Sequence, residues 1–526
     1  MGLPELLAVL LVVAVCALLM VGYPVAFTLG GAALAIAVLG DAVGAMRFSL
    51  LGALPPRVFG VMTNEVLLAI PLFVLMGVML ERSRIAEDLL EAMGRLFGTL
   101  TGGLAISVTL VGVLLAAAKG VVGATVVTMG LITLPAMIRH GYNPRLAAGT
   151  VAATATLAQI MPPATVLVLL GDQLNIAYQA AQLAQGKFAP DQVSVSDLFA
   201  GAIVPALTLV ALYLAFQIAV AVLRPAACPA IPPAADAIGG AALARRLIEV
   251  LVAPVGLIVV VLGSILGGLA TPTEAAGVGA FGAILLTARK VAAKKSAPAL
   301  GAAVAVIAVL VLRAFVDLRV GRAGGGVATT AAIALAVVLL GVAAYGTVAA
   351  VVAIGRAGVL APVLATTTNV TAMIFAILIG ATMFSLVFRG LGGDDMVQHA
   401  LANLPGGTGG AILTVMIAMF LLGFVMDAFE IIFVVVPIVA PALLTMPGVD
   451  PIWLGVMMAV NLQTSYLHPP LGPTLFYLRG VAPPQIKTLD IYVGVIPFVL
   501  IQFALLAALW FWPGLASALP HALAGH

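Results

Sequence analysis

Two stretches place side-chain oxygens directly ahead of paired prolines. In Asn461–Leu478, NLQTSYLHPPLGPTLFYL, the residues Asn461, Gln463, Thr464, Ser465 and His468 precede Pro469 and Pro470. In the second, Thr156 and Gln159 precede Pro162 and Pro163. Proline lacks an N–H, and its ring clashes with the carbonyl four residues earlier. The pairs therefore free the carbonyls of Ala158 and Gln159 in one stretch and of Ser465 and Tyr466 in the other. They also push Met161 and His468 away from helical geometry. Bare carbonyls are costly in hydrocarbon and persist only where protein, water or an ion satisfies them. Two readings follow. One is a packing kink satisfied by neighbouring helices. The other is an oxygen-rich cage for a hard cation such as sodium, with Thr156 and Gln159 in one cage and Gln463, Thr464 and Ser465 in the other. The helix that restarts after each break points a positive dipole end inward, which suits a carboxylate.

The two stretches behave as copies. Gly141-Tyr-Asn-Pro144 precedes the first proline pair by the same interval that separates Gly448-Val-Asp-Pro451 from the second. A single offset, 448 − 141 = 307, superimposes the glycine, the first proline and both members of each pair. Duplication is the reading we adopt for the regions 101–171 and 408–478. Each region has two apolar arms, a proline-containing turn and a broken helix.

Charge enters the second copy at FLLGFVMDAFEIIFVVVP, where Asp427 and Glu430 stand at i and i+3, a spacing that puts both on one helical face. Ionisable groups inside a span are functional candidates, and pairing at a bundle or subunit interface is the structural alternative. The matching turn of the first copy carries Lys119 and Gly120, which the offset aligns with Met426 and Asp427. Lys119 either snorkels to water or faces a substrate cavity as a tethered cation. At TPTEAAG, Glu274 reads as a helix cap, Arg479 as a cytoplasmic anchor, and Tyr142 and Asn143 as turn residues.

The elements that position these groups are membrane helices. The 526 residues are 63% hydrophobic and 8% charged, far below the roughly 25% charged of a soluble domain, and mean hydropathy is +1.25. Apolar runs of spanning length recur throughout, and the short alternating segments of a barrel do not. The fold class is an all-α polytopic membrane protein. Spans are expected near 5–21, 25–40, 65–80, 198–223, 247–269, 276–288, 299–314, 328–355, 364–388 and 491–512. The first run is read as a membrane helix rather than a cleaved signal peptide. A net charge of +3, with scattered basic residues, gives no case for nucleic acid, and Cys16 and Cys228 imply no disulfide framework. With the 81–97 loop in the cytoplasm, most of the 23 Lys and Arg residues fall on that side, as the positive-inside rule requires. Seven crossings then separate the 139–145 loop from the 447–451 loop, so the copies lie inverted. Inverted repeats with broken helices and re-entrant hairpins mark secondary transporters. No ATP-binding loop, HExxH pair or GxSxG elbow is present, so energy must come from an ion gradient.

At these motifs the chain resembles the large permease subunit of the tripartite ATP-independent periplasmic (TRAP) transporters of bacteria. The residues that carry the likeness are IPLFVLMGVMLERSRIAEDLL (70–90), VVGATVVTMGLITLPAMIRHGYNP (121–144), LAQIMPPATVLVLLGD (157–172), TPTEAAG (271–277), ILIGATMFSLVFRGLGG (377–393) and VNLQTSYLHPPLGPTLFYLRGVAP (460–483). LFYLRGVAP (475–483) resembles the branch labelled mannitol/chloroaromatic, which also includes carriers resembling 2-oxo acid and lactate permeases. The resemblance implies a sodium-driven elevator in the inner membrane, with no enzyme activity and no cofactor beyond the coupling ion. It implies a four-helix small membrane subunit, a periplasmic substrate-binding protein and a small organic acid substrate. Carried over, the ion-binding candidates are Gly120, Gly123, Thr156, Gln159, Pro162, Gly423, Asp427, Gln463, Thr464, Ser465 and Pro469. The substrate-binding candidates are Lys119, Thr156, Glu430, Asn461, Thr464 and His468, and no transition-metal site is expected. The implied organisation is N-terminal scaffold helices 1–100, a first transport unit 101–171, connecting scaffold helices 172–295, additional helices 296–356, a helix and loop 357–407, a second transport unit 408–478 and a C-terminal helix 479–526. Two departures stand out: Ala118-Lys119 replaces the small hydroxyl residues usual at the first tip, and 296–356 exceeds a typical large permease. Lys119 would then replace one sodium or contact the substrate carboxylate. The rival readings are a standalone organic-anion carrier and a membrane-embedded enzyme using Asp427, Glu430 and His468.

Overall fold

A computed structural model describes residues 2–83, 85–119, 122–231, 240–291, 297–316 and 327–524. Every regular element among them is helical. The expected spans are helices with small changes of boundary, among them Leu3–Val21, Val25–Ala42, Val195–Leu223, Leu360–Gly390 and Thr488–Phe511, each long and apolar enough to cross a bilayer. The span read near 65–80 is only the second limb of a bent pair: Phe48–Met62 and Val66–Arg82 meet at 53°. Proline in the first turn of Leu54–Met62 and the Asn64 elbow interrupt what hydropathy alone presents as one run.

The two halves are built alike. In the first, a hairpin of Gly103–Lys119 and Val122–Arg139 leads to Pro144–Thr156, a short 3-10 turn Leu157–Gln159, a break and Thr165–Ala184. In the second, a hairpin of Gly407–Leu422 with Ala428–Val434 and Val436–Leu444 leads to Pro451–Leu467, a break and Pro473–Val481. The details repeat at the offset read from sequence. Gly141 and Gly448 take left-handed φ values of 76° and 79°, open to glycine without strain. Asn143 and Asp450 then cap the helices that begin at Pro144 and Pro451, accepting from Arg145 N at 2.9 Å and Trp453 N at 2.7 Å. Thr109 meets Thr154 at 3.4 Å, and at the equivalent place Asn461 Nδ2 donates to Met416 O at 2.8 Å. Both Pro-Pro peptide bonds are cis.

The halves interlock by exchange. The helix after the first break packs on the return arm of the second hairpin, and the helix after the second break packs on the return arm of the first. At the centre Gln463 Nε2 lies 3.5 Å from Thr156 Oγ1, a pair separated by 307 positions. A residue that touches its own counterpart sits on the axis relating the copies. Between the two hairpins the described residues form the first broken helix and six further long helices, Val195–Leu223, Gly240–Leu266, Pro272–Val291, Ala297–Phe315, Val327–Arg356 and Leu360–Gly390, the odd number of elements expected from sequence. The additional region contributes Ala297–Phe315 and Val327–Arg356, packed on each other. Gly346 allows this contact, since a Cβ there would lie 2.3 Å from Pro298 O. An added pair of crossings leaves the inversion of the second half intact.

Candidate substrate and ion site

A cavity of about 450 Å³ collects both hairpin tips and both breaks. The tips supply Val122–Ala124 and Asp427–Phe429, and the breaks supply Gln159, Val166, Tyr466 and Tyr477. The opposite wall comes from the ends of two other helices: Val78, Glu81 and Arg82, and Thr366, Val370 and Met373. Its volume lies within the 300–1,000 Å³ usual for small-molecule sites.

The second tip is held by a compact hydrogen-bonded cluster. Asp427 is not on the face of a helix with Glu430, as the spacing suggested; it precedes the helix as N-cap of Ala428–Val434. Its backbone N donates to Glu430 Oε2 at 3.0 Å, closing a capping box. The reason is local: the first turn leaves N–H groups without intrahelical partners, and Asp followed by Glu three positions later satisfies them. Tyr466 completes the cluster. Its hydroxyl donates to Asp427 Oδ1 and accepts from Ala428 N at 2.8 Å. The tip is thereby tied to the broken helix. Gly423 fixes the same contact, since a Cβ on it would lie 2.1 Å from Ser465 Oγ. In the first half a Cβ on Gly112 would lie 2.0 Å from Thr154 Cγ2.

Around the breaks, buried oxygens stand without partners. Ile160 N and Met161 N both donate to Leu157 O, so prolines occupy the positions that would have served the Ala158 and Gln159 carbonyls. Gln159 Oε1 and Gln463 Oε1 are buried without a hydrogen-bond partner. At the second break the expectation needs correcting. The Ser465 carbonyl accepts from His468 N at 3.3 Å, so it is not bare. The hydroxyls of Thr156, Thr464 and Ser465 donate to Ala153 O, Val460 O and Leu462 O at 2.7–2.8 Å, leaving their lone pairs available.

Of the residues singled out in the sequence, Gly123, Gln159 and Asp427 line the cavity. Thr156, Gln463, Thr464 and Ser465 lie behind it in the fully buried core. Pro162 and Pro469 form the breaks themselves. Asn461 borders a separate apolar groove, and the His468 ring packs between Phe420 and Phe424, 5.2 and 5.4 Å between centroids. Gly120 lies outside the described residues, as does the side chain of Lys119, which ends the first hairpin arm. Glu274 behaves as read, forming a capping box with Thr271, and Arg479 donates to Ile486 O.

Sequence reasoning passed over Arg82, Tyr477 and the hydroxyl of Tyr466. It also missed a polar spine behind the breaks. Gln502 Nε2 donates to the Tyr213 hydroxyl at 2.7 Å, and Gln217 Nε2 to Thr109 Oγ1 at 2.6 Å. The signal was there: Tyr213 and Gln217 are one helical turn apart in an otherwise apolar span, where polar side chains bind neighbouring helices.

Comparison with known proteins agrees with this architecture. The family model for the tripartite ATP-independent periplasmic transporter, DctM component, matches residues 12–291 and 285–515. The chain is 26% identical over 464 residues to the C4-dicarboxylate TRAP transporter large permease protein DctM of Rhodobacter capsulatus, covering 87% of each. It is 26% identical over 504 residues to the isethionate TRAP transporter permease protein DctMQ of Oleidesulfovibrio alaskensis, covering 94% of this chain and 64% of that one. Among solved structures, the Alcanivorax borkumensis YdaH transporter shares the fold, with a TM-score of 0.54 at 16% identity over 98% of this chain and 100% of that one.

Proposed function

Since this chain belongs to the DctM component family of the tripartite ATP-independent periplasmic transporters, a multi-pass permease of the inner membrane rather than an enzyme, we propose that it imports a small organic acid by sodium symport. The acid is a 2-oxo acid, lactate or a similar carboxylate, handed over by a periplasmic binding protein. A small membrane subunit completes the assembly. The cavity supports this reading, because in it the tips and breaks of both halves meet a wall from other helices. The buried unpartnered oxygens of Gln159 and Gln463, beside lone pairs of Thr156, Thr464 and Ser465, fit a hard cation that binds through oxygen. Sodium here is cargo, and Asp427, held at the second tip by Tyr466, is the carboxylate assigned to it.

Transport is by an elevator in which the hairpins and broken helices slide against a fixed frame. Val195–Leu223 and Thr488–Phe511 pack on the broken helices, and on that ground we assign them to the moving body, a different division from the scaffold reading of 172–295. Polar contacts that then join the moving body to the frame include Asn64 Nδ2 to Asp172 Oδ1 at 3.0 Å, Thr128 Oγ1 to Glu81 Oε1 at 2.6 Å and Ser107 Oγ to Met93 O at 2.8 Å.

The test is uptake of radiolabelled pyruvate and lactate into liposomes holding the permease with its small subunit, with binding protein added outside. Accumulation that needs both an inward sodium gradient and the binding protein is expected. Uptake indifferent to sodium refutes the coupling. Uptake without binding protein favours the standalone carrier, and chemically altered product inside favours the enzyme.

A further inference from the structure

We infer that Arg82 is the residue that binds the carboxylate of the substrate, an assignment that rests on the cavity being the transport site. Three charged side chains line that cavity among the described residues: Glu81, Arg82 and Asp427. The two carboxylates are engaged, Glu81 by the Thr128 hydroxyl and Asp427 by Tyr466 and the capping box. Arg82 alone makes no ion pair or side-chain hydrogen bond with the described residues. A guanidinium offers five N–H donors in a fixed fork that matches a carboxylate edge on. Much of the remaining wall is apolar, from Val78 and Val122 to Met373 and Phe429, suited to the short carbon skeleton of the acid.

The placement of Arg82 gives it a distinct role from the tip residues. It closes the last turn of Ala69–Arg82, on the wall opposite the two hairpins. An acid bound between the tips and Arg82 is therefore held by both bodies at once in this arrangement, and moving the hairpin unit separates the carboxylate from its cation. Arg82 contributes binding on the side to which this cavity opens and is left behind during translocation. The position of a cation at a helix C-terminus is also favourable for the helix itself, and the positive-inside bias accounts for its sign. Neither explains why its side chain lines the cavity, and neither depends on the charge of the substrate.

That difference supplies the experiment. In liposomes holding permease and small subunit with binding protein outside, Arg82→Gln is expected to raise about tenfold the KM for lactate or pyruvate at the cytoplasmic face, read as counterflow driven by unlabelled acid loaded inside and equivalent to ~1.4 kcal/mol, while the KM for delivery from the binding protein changes little. Arg82→Lys keeps the charge, loses the fork and falls between. In detergent-purified complex, competition by lactate against lactamide should lose its preference for the charged ligand in Arg82→Gln. Gly123→Leu serves as the second arm. A Cβ on Gly123 would lie 3.2 Å from the Tyr477 ring, and both residues line the cavity, so a leucine there crowds it and should abolish uptake of either acid. If Arg82→Gln leaves the cytoplasmic-face KM and the lactate preference unchanged while Gly123→Leu abolishes uptake, the cavity stands and Arg82 is only an anchor. If Gly123→Leu transports normally, the cavity reading falls and the Arg82 assignment with it. Cysteine labelling from each side of the membrane shows whether Arg82→Gln keeps its topology. Inverted topology also overturns the assignment.

Discussion

Replacing Gly423 with alanine tests how tightly the second hairpin must dock on its broken helix. The added Cβ would lie 2.1 Å from Ser465 Oγ and 2.7 Å from Ser465 Cβ. The hydroxyl can rotate, but the Cβ is fixed to the helix, so the surfaces must separate by 3.4 − 2.7 = 0.7 Å to reach ordinary contact. Overpacking of this kind costs about 1–3 kcal/mol. That cost falls on the docked tip, the arrangement that holds Asp427 against Tyr466 and keeps the cavity closed on that side. Since ~1.4 kcal/mol is a factor of ten in occupancy, sodium-driven uptake at subsaturating substrate should fall by roughly tenfold or more. The compensating change is Ser465→Gly. It removes both clashing atoms and costs only about 0.5–1 kcal/mol for a glycine in a helix, so the double variant should recover most of the thermal stability, while uptake stays low because the Ser465 hydroxyl assigned to the cation is gone. The matching test in the first half is Gly112→Ala, whose Cβ would meet Thr154 Cγ2 at 2.0 Å, with Thr154→Ser as its relief. Uptake assays paired with thermal unfolding of the purified complex read both effects. The reasoning is refuted if Gly423→Ala transports and melts like the unaltered protein, or if Gly423→Ala with Ser465→Gly melts no higher than Gly423→Ala alone.

Three further outcomes follow from the same geometry. Asp427→Asn keeps a good N-cap and removes only the charge, so the complex should elute and melt normally while uptake falls at least about tenfold by the fold-to-energy relation; normal uptake would reduce Asp427 to a cap. Gln463→Leu preserves bulk but deletes the unpartnered oxygen and the contact with Thr156, and should raise the sodium concentration for half-maximal uptake several-fold; an unchanged sodium curve would make Gln463 a packing residue. Asn64→Ala loses the bond to Asp172 and the 2.9 Å contact with Val66 N, about 1–2 kcal/mol for two neutral or singly charged hydrogen bonds. If Asn64 joins moving to fixed parts, that loss depopulates the present arrangement, and labelling of a cysteine placed at Gly123 should change in rate; identical labelling counts against the contact.

The repeat was readable because its marks are covalent. Proline pairs, the glycines at 141 and 448 and the caps at 143 and 450 impose backbone geometry wherever they stand, so their spacing transfers directly to structure. Hydropathy likewise located the spans. It found Val66–Arg82 but not Phe48–Met62, the limb joined to it through the Asn64 elbow, and spacing alone did not tell a cap from a helix face at Asp427. Tyr466 and Arg82 were harder still, because their significance depends on which elements the folded chain brings opposite them.

The axis of the repeat shows why that last step lies beyond any single stretch. Periodicity identifies Thr156 and Gln463 as equivalent positions, but only the fold makes equivalents meet. Where they do, identical residues are a poor choice. Two copies of one side chain on an axis face each other donor to donor or acceptor to acceptor, unless rotamers break the symmetry. A hydroxyl opposite an amide escapes the conflict: the Thr156 proton goes to Ala153 O at 2.8 Å, and its lone pairs face Gln463 Nε2 at 3.5 Å. The amide oxygen is then left over, in a core where an unsatisfied polar atom is expensive. The same asymmetry that lets the halves pack at their centre thus creates the unpartnered oxygen that a coupling cation would satisfy, and it predicts that making the axis symmetric, with Gln463→Thr, removes sodium dependence faster than it removes stability.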